Sequence, residues 1–166
     1  MRILHILDHS IPLHSGYTFR TLAILKEQRD LGWETFHVTS AKHTGSVALE
    51  EEVDGWHFYR TPEHSRFAGR LPILNQIAVI NGLARRVADI VRIIKPDLLH
   101  AHSPALNAIP ALIAARKASI PVVYEVRAFW EDAAVDHGTS SEWGVRYRLT
   151  RGLENFALRR GDAITT

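Results

Sequence analysis

Short apolar runs alternate along this chain with segments of helical period, and that alternation restricts the fold more than any other feature of the sequence. Arg2 to Leu7 and Glu34 to Thr39 read as strands, with Trp56 to Tyr59 as a third after the tight turn expected at Asp54-Gly55. Leu98 to Ala101, Pro121 to Val126 and a last strand from Asp162 complete the set. Between them, Tyr17 to Leu31 is helix-compatible, with Thr18 the N-cap candidate and Gly32 the terminator. Ile73, Ile77, Ile80, Ala84, Val87, Val91 and Ile94 recur at spacings of four and three and predict a long helix ended by Pro96. The segment after Pro104 predicts a helix buried through Leu106, Ile109, Leu112 and Ile113. Trp143 to Arg160 predicts an amphipathic helix with Val145, Leu149, Leu153, Phe156 and Ala157 inward.

Strands that read as nearly uninterrupted apolar runs, separated by helices, imply an α/β fold. The expected form is a doubly wound, mostly parallel sheet with helices on both faces. Its 166 residues suffice for one domain, and neither a repeat nor an interdomain linker interrupts them. Composition is that of an ordinary globular chain, 46% hydrophobic and 23% charged. A net charge of +2 is too mild to suggest nucleic acid as a partner. Without cysteine, disulfides and thiolate metal sites are excluded. MRILHIL is too short for a signal or membrane-spanning segment, so cytoplasmic residence is the expectation.

In such a sheet ligands bind at loops after the carboxyl ends of strands. Here these are 8–17, 40–52, 61–72, 102–104 and 127–142. The loop DHSIPLHSGYTFR carries Gly16 but no G-x-G-x-x-G, which argues against a nicotinamide dehydrogenase. His100 and His102 alternate along a strand and share a face, but a metal site needs a third ligand from elsewhere. The expectation is therefore no metal, with His100 in the core and His102 facing the cleft. Arg127 ends a strand where an arginine can grip a phosphate or carboxylate. The competing role is an ion pair with Glu125, Glu131 or Asp132, and the position at the strand end favours the cleft. Phe129 and Trp130 offer core caps or a stacking surface, and the nearby carboxylates offer acceptors for hydroxyl groups.

Four ordered segments, DHSIPLHSGYTFR, PDLLHAHSP, VVYEVRAFWEDAAVDHG and LENFALRRGDAITT, resemble the N-terminal half of family 4 glycosyltransferases. These are retaining enzymes of the two-domain GT-B fold, and the resemblance is strongest to those accompanying exosortase systems of exopolysaccharide-producing bacteria. It implies a single acceptor-side domain over residues 1–166, with the donor-binding C-terminal domain outside this chain. It implies a nucleotide-sugar donor, a glycan or lipid-linked acceptor, and neither cofactor nor metal. Ser15, Gly16 and Tyr17 match the loop that approaches the donor's phosphate and sugar. His102 matches the histidine beside the transferred sugar, and Arg127 joins it as a catalytic candidate. Many relatives carry His-Asp where this chain has Arg127-Ala128, and Arg127, Trp130 and Glu131 instead resemble a subgroup with arginine, tryptophan and glutamate at this place, spaced here as Arg-x-x-Trp-Glu. Phe129, Trp130, Glu131 and Asp132 become the acceptor wall. Arg66, Arg70, Arg146 and Arg148 become candidates for peripheral contact with an anionic membrane. The alternative is a stand-alone flavodoxin-like ligand-binding or regulatory domain without transferase activity; Asp8 lacks the acidic neighbour and partner lysine of a response regulator.

Overall fold

The computed structural model describes residues 1–44, 48–62, 72–129, 132, 138, 141 and 143–166. Seven strands form one sheet: β1 (Arg2–Leu7), β2 (Glu34–Thr39), β3 (Glu50–Val53), β4 (Trp56–Tyr59), β5 (Leu98–His102), β6 (Val122–Glu125) and β7 (Ala163–Thr165). Among the described residues four helices connect them: α1 (Gly16–Asp30), α2 (Pro72–Ile94), α3 (Ala105–Ala118) and α4 (Val145–Arg160). The sheet order is β3-β4-β2-β1-β5-β6-β7, and every pairing is parallel except β3 with β4. This is the doubly wound architecture the alternation predicts, with β1 central and the order reversing between β1 and β5.

β3 is the strand the sequence conceals. Three consecutive glutamates, Glu50 to Glu52, are poor strand formers. They pair because the Asp54-Gly55 turn, with both residues at positive φ (50° and 75°), folds the segment back onto β4. At the start of α1 the cap is Ser15 rather than Thr18, its Oγ accepting the Thr18 N–H at 3.1 Å. Thr18 lies inside the helix, where its hydroxyl donates to the Leu13 carbonyl. Gly32 follows the helix at φ +80°, as the sequence predicts.

The two sheet faces differ in chemistry. Leu4, Ile6, Val38, Leu99, Ala101, Val122 and Tyr124 point to one face and pack with α2, α3 and Ala157 of α4 into a single apolar core. Strand alternation sends Thr35, His37, His5, His100, His102 and Glu125 to the other face, the one that α1 covers. All six are buried. A smaller apolar cluster of Leu7, Ile11 and Phe58, with Tyr17 and Leu22 against it, closes the upper end of that face.

Two helices bury faces other than those the periodicity suggests. On α3 the buried side is Ala105, Ala108, Ala111, Ala114 and Ala115, while Ile113 is exposed and Leu106, Ile109 and Leu112 are only partly covered. Small side chains let α2 and α3 pack closely over the sheet. On α4 Tyr147, Glu154 and Ala157 are buried, whereas Val145, Leu149 and Phe156 face outward, Val145 at 84% exposure. Glu154 sets that rotation: its carboxylate accepts the Ala105 N–H at 2.8 Å and the Tyr124 hydroxyl, capping α3 where Pro104 provides no side-chain cap.

Candidate functional site

Polar side chains converge where β1, β5 and β6 end beneath the first turns of α1. Glu125, the last residue of β6, is their hub. Its carboxylate, 2% exposed, lies 3.0 Å from Arg127 Nε, 3.1 Å from Arg20 Nη2, 2.8 Å from His102 Nδ1 and 3.3 Å from His100 Nε2. Burial works against its charge, but the close contacts of His100 and His102, together with the Arg127 guanidinium, hold the carboxyl far below the usual range. It is ionised at any physiological pH.

Arg127 turns back over this hub. One guanidinium nitrogen, Nη1, donates to the Tyr17 carbonyl at 2.9 Å and to Thr21 Oγ1 at 2.8 Å, both on α1. Nη2 meets His102 Nδ1, and the guanidinium lies 4.2 Å from the centre of the Tyr17 ring. Its backbone N–H is held by Ser103 Oγ at 3.0 Å. The side chain is 5% exposed. Of the ion-pair partners considered from the sequence that are described, Arg127 meets Glu125, whereas Asp132 accepts a hydrogen bond from the Tyr147 hydroxyl. The expectation of a guanidinium standing open in the cleft is thus corrected: strand alternation makes Glu125 and Arg127 neighbours on the face that α1 seals.

His102 is likewise enclosed, at 0% exposure, so it does not look into an open cleft in this structure. Burial lowers its pKa to about 3 against the opposing pull of Glu125, which keeps the ring neutral. Its Nε2 is 2.9 Å from His5 Nδ1, and His5 Nε2 reaches Gln28 Oε1 at 2.8 Å. His5 is the residue the sequence reading passed over. The β1–β5 register sets His5 directly opposite His100, a relation no local pattern in the sequence reveals.

The loop above β1 forms the accessible part of the site. Ser15 receives a 2.8 Å hydrogen-bond contact from His9 Nε2, whose Nδ1 lies 3.4 Å from Asp8 Oδ2. Burial raises the Asp8 pKa, but His9 and the Lys42 ammonium 3.1 Å away lower it further, so Asp8 remains a carboxylate. Tyr17 stacks its ring near His9, centroids 4.7 Å apart, and its hydroxyl accepts the Asp8 N–H. Burial pushes the Tyr17 phenol well above its ordinary value, so it stays protonated. Gly16 opens α1 with empty space where a Cβ would stand. The structure therefore brings Ser15, Gly16, Tyr17, His102 and Arg127 to one end of the sheet. An exposed helix N-terminus beside an enclosed arginine suits an anionic ligand.

Phe129 continues from this end at 67% exposure. Trp130 and Glu131, and likewise Arg66 and Arg70, lie outside the described residues. Arg146 and Arg148 are exposed on α4.

Sheet order and site position together define a Rossmann-like domain of the GT-B type. The chain belongs to the glycosyl transferase 4-like domain family, whose model matches residues 15–166. Among solved structures it is similar to sucrose-phosphate synthase from Thermosynechococcus elongatus, with a TM-score of 0.67 and 13% identity over 98% of this chain and 41% of that one. MurG from Acinetobacter baumannii aligns at a TM-score of 0.57 and 14% identity, over 98% of this chain and 40% of that one. The calicheamicin glycosyltransferase CalG4 aligns at 0.50 and 14% identity, over 94% and 42%. The chain thus spans about two fifths of the length of these proteins. No curated protein matches the sequence.

Proposed function

We propose that this chain is the acceptor-side domain of a retaining glycosyltransferase that moves a sugar from a nucleotide-sugar to a glycan or lipid-linked acceptor. The observation that carries the reading is the family match over residues 15–166, joined to a polar site at the carboxyl ends of β1, β5 and β6. Ser15, Gly16 and Tyr17 are the backbone that meets the donor's phosphate, which the helix N-terminus favours electrostatically. Enclosed as it is, Arg127 acts through Tyr17 and the first turn of α1, presenting positive charge under that loop with the neutral His102 ring against it. Phe129 and Asp132 start the acceptor wall, with Trp130 and Glu131 assigned to it by resemblance alone. The departing phosphate assists acceptor deprotonation in this reading, so no metal or cofactor serves the reacting atoms. The four-segment resemblance supports a place among exosortase-associated, exopolysaccharide-linked enzymes of the cytoplasm.

Catalysis needs donor and acceptor fixed in one reactive geometry, and one wall of a cleft does not fix both. Residues 1–166 alone are therefore expected to fold without turning over. Thermal shift of the full-length protein against a panel of nucleotide-sugars, followed by transfer assays with any that stabilise it, tests the assignment. Stabilisation by one donor class with transfer supports it; steady transfer by residues 1–166 alone overturns the division of labour. Peripheral membrane contact is part of the same proposal, resting on Arg146 and Arg148 beside the outward Val145 and Leu149 of α4. No helix among the described residues is long and apolar enough to cross a membrane. Sedimentation with anionic vesicles at low salt checks the contact, and a chain left wholly in the supernatant rejects it.

A further inference from the structure

Three imidazoles that the transferase reading leaves without a shared purpose meet on the α1 face of the sheet. His5 of β1 stands in register with His100 of β5, and His102 lies two residues further on the same face. One ligand-capable atom from each lies within 4.8 Å of the other two, and all three residues are buried, at 0%, 8% and 0% exposure. We propose that His5, His100 and His102 bind a single transition-metal ion, Zn²⁺ by donor chemistry, that ties β1 to β5 beneath α1.

The outer shell carries the argument beyond proximity. A ligating imidazole ordinarily donates its other ring N–H to a fixed oxygen, which sets its tautomer and aims its lone pair. Here His5 Nε2 is 2.8 Å from Gln28 Oε1, and His102 Nδ1 is 2.8 Å from the Glu125 carboxylate. His5 Nδ1 and His102 Nε2 lie 2.9 Å apart, and a bound cation would select the tautomers in which both outer nitrogens donate and these two inner nitrogens turn lone pairs to the metal. Metal–nitrogen bonds of about 2.0 Å in tetrahedral array place donor atoms about 3.3 Å apart, so the pair opens by only a few tenths of an ångström. His100 supplies the third donor: its Nε2 is buried without a hydrogen-bond partner of good geometry, 3.3 Å from Glu125. Glu125, 2% exposed, provides negative charge beside the ion. Three nitrogens and no sulfur select Zn²⁺, Co²⁺ or Ni²⁺ over Mg²⁺ and Ca²⁺, which prefer oxygen. Such enclosure makes the site structural, separate from the reacting sugar.

The chain, freed of metal by chelation, is titrated calorimetrically with Zn²⁺ and with Co²⁺. One equivalent per chain, at a Kd of about 10 µM or tighter, is expected, together with a rise in melting temperature of about 5 °C at saturating metal. Mg²⁺ should do neither. His5→Asn should weaken binding at least about tenfold, whereas His14→Ala with His57→Ala, on exposed histidines, should leave it unchanged. X-ray absorption of the Zn²⁺-loaded native chain reads the donor set even if His5→Asn fails to fold: three imidazoles at about 2.0 Å support the site. Absence of stoichiometric binding, a donor set dominated by oxygen, or loss of binding in the surface double variant overturns the proposal.

Discussion

Arg127 illustrates how one contact list changes the meaning of a substitution. From sequence its place at a strand end suggests a group whose removal costs activity and spares stability. In the structure its guanidinium joins Glu125 to the Tyr17 carbonyl and to Thr21, and it is nearly enclosed. Removing it leaves the buried Glu125 carboxylate with Arg20 and the two imidazoles, and breaking a buried pair typically costs about 3 kcal/mol. Arg127→Ala should therefore lower the melting temperature by about 6 °C or more. Arg127→Lys should recover little, since one ammonium cannot span Glu125 and both α1 acceptors. Adding Glu125→Gln to Arg127→Ala should restore part of the loss, because the stranded charge is gone. Thermal denaturation of the three variants checks this, and an unchanged melting temperature in Arg127→Ala would return the residue to an open cleft.

At the scale of elements, what was legible depended on whether local pattern or distant contact decides. β1 and β2 follow from their apolar and β-branched residues, and α2 from its apolar stripe. The Asp54-Gly55 turn was readable because few residues accept its backbone angles. The burial of α3 and α4 was not, because periodicity ranks residues by hydrophobicity while packing here selects by size and hydrogen bonding. Alanines suit the close α2–α3 approach, and Glu154 fixes α4 through two bonds to other elements. The candidate site divides the same way: Gly16 and Arg127 stand on the segments that follow β1 and β6, where local pattern points, whereas Glu125 as a hub and His5 beside His102 depend on register. The alanine face makes a direct prediction. Ala111→Leu, at a position with no exposure, should destabilise by about 2 kcal/mol through overpacking. Ile113→Ala, equal in the size of its volume change but 40% exposed, should cost less than about 1 kcal/mol. Urea denaturation of the two variants reads the order, and the reverse order would place the helix as its hydrophobicity alone suggests.

Across the whole molecule the sheet separates an apolar layer under α2, α3 and α4 from a polar, histidine-rich layer under α1. The second layer links stability to pH. His37 is 1% exposed, between Trp56 and Phe58, and its ring nitrogens lie within hydrogen-bond distance of the His57 carbonyl and Thr35 Oγ1. Burial lowers its pKa to about 3, and burial also lowers that of His43 to about 4. Above about pH 6.5 these rings are neutral folded and unfolded alike, so their environment adds no pH dependence. As pH falls below that value the unfolded chain takes up protons that the folded chain refuses, and stability declines. The slope from His37 alone is roughly 1.4 kcal/mol per pH unit, continuing until its folded pKa is reached. Glu125 and Asp8, with carboxyl pKa values held low, add their own loss at still lower pH with the same sign. The melting temperature should thus be level from about pH 8 to about pH 7 and fall by several degrees by about pH 5.5. His37→Gln, which keeps polar atoms without a titrating ring, should start lower and show a shallower fall. A flat profile for the native chain between about pH 7 and about pH 5 would mean that water reaches the layer beneath α1 and that its histidines titrate as they do in the unfolded chain.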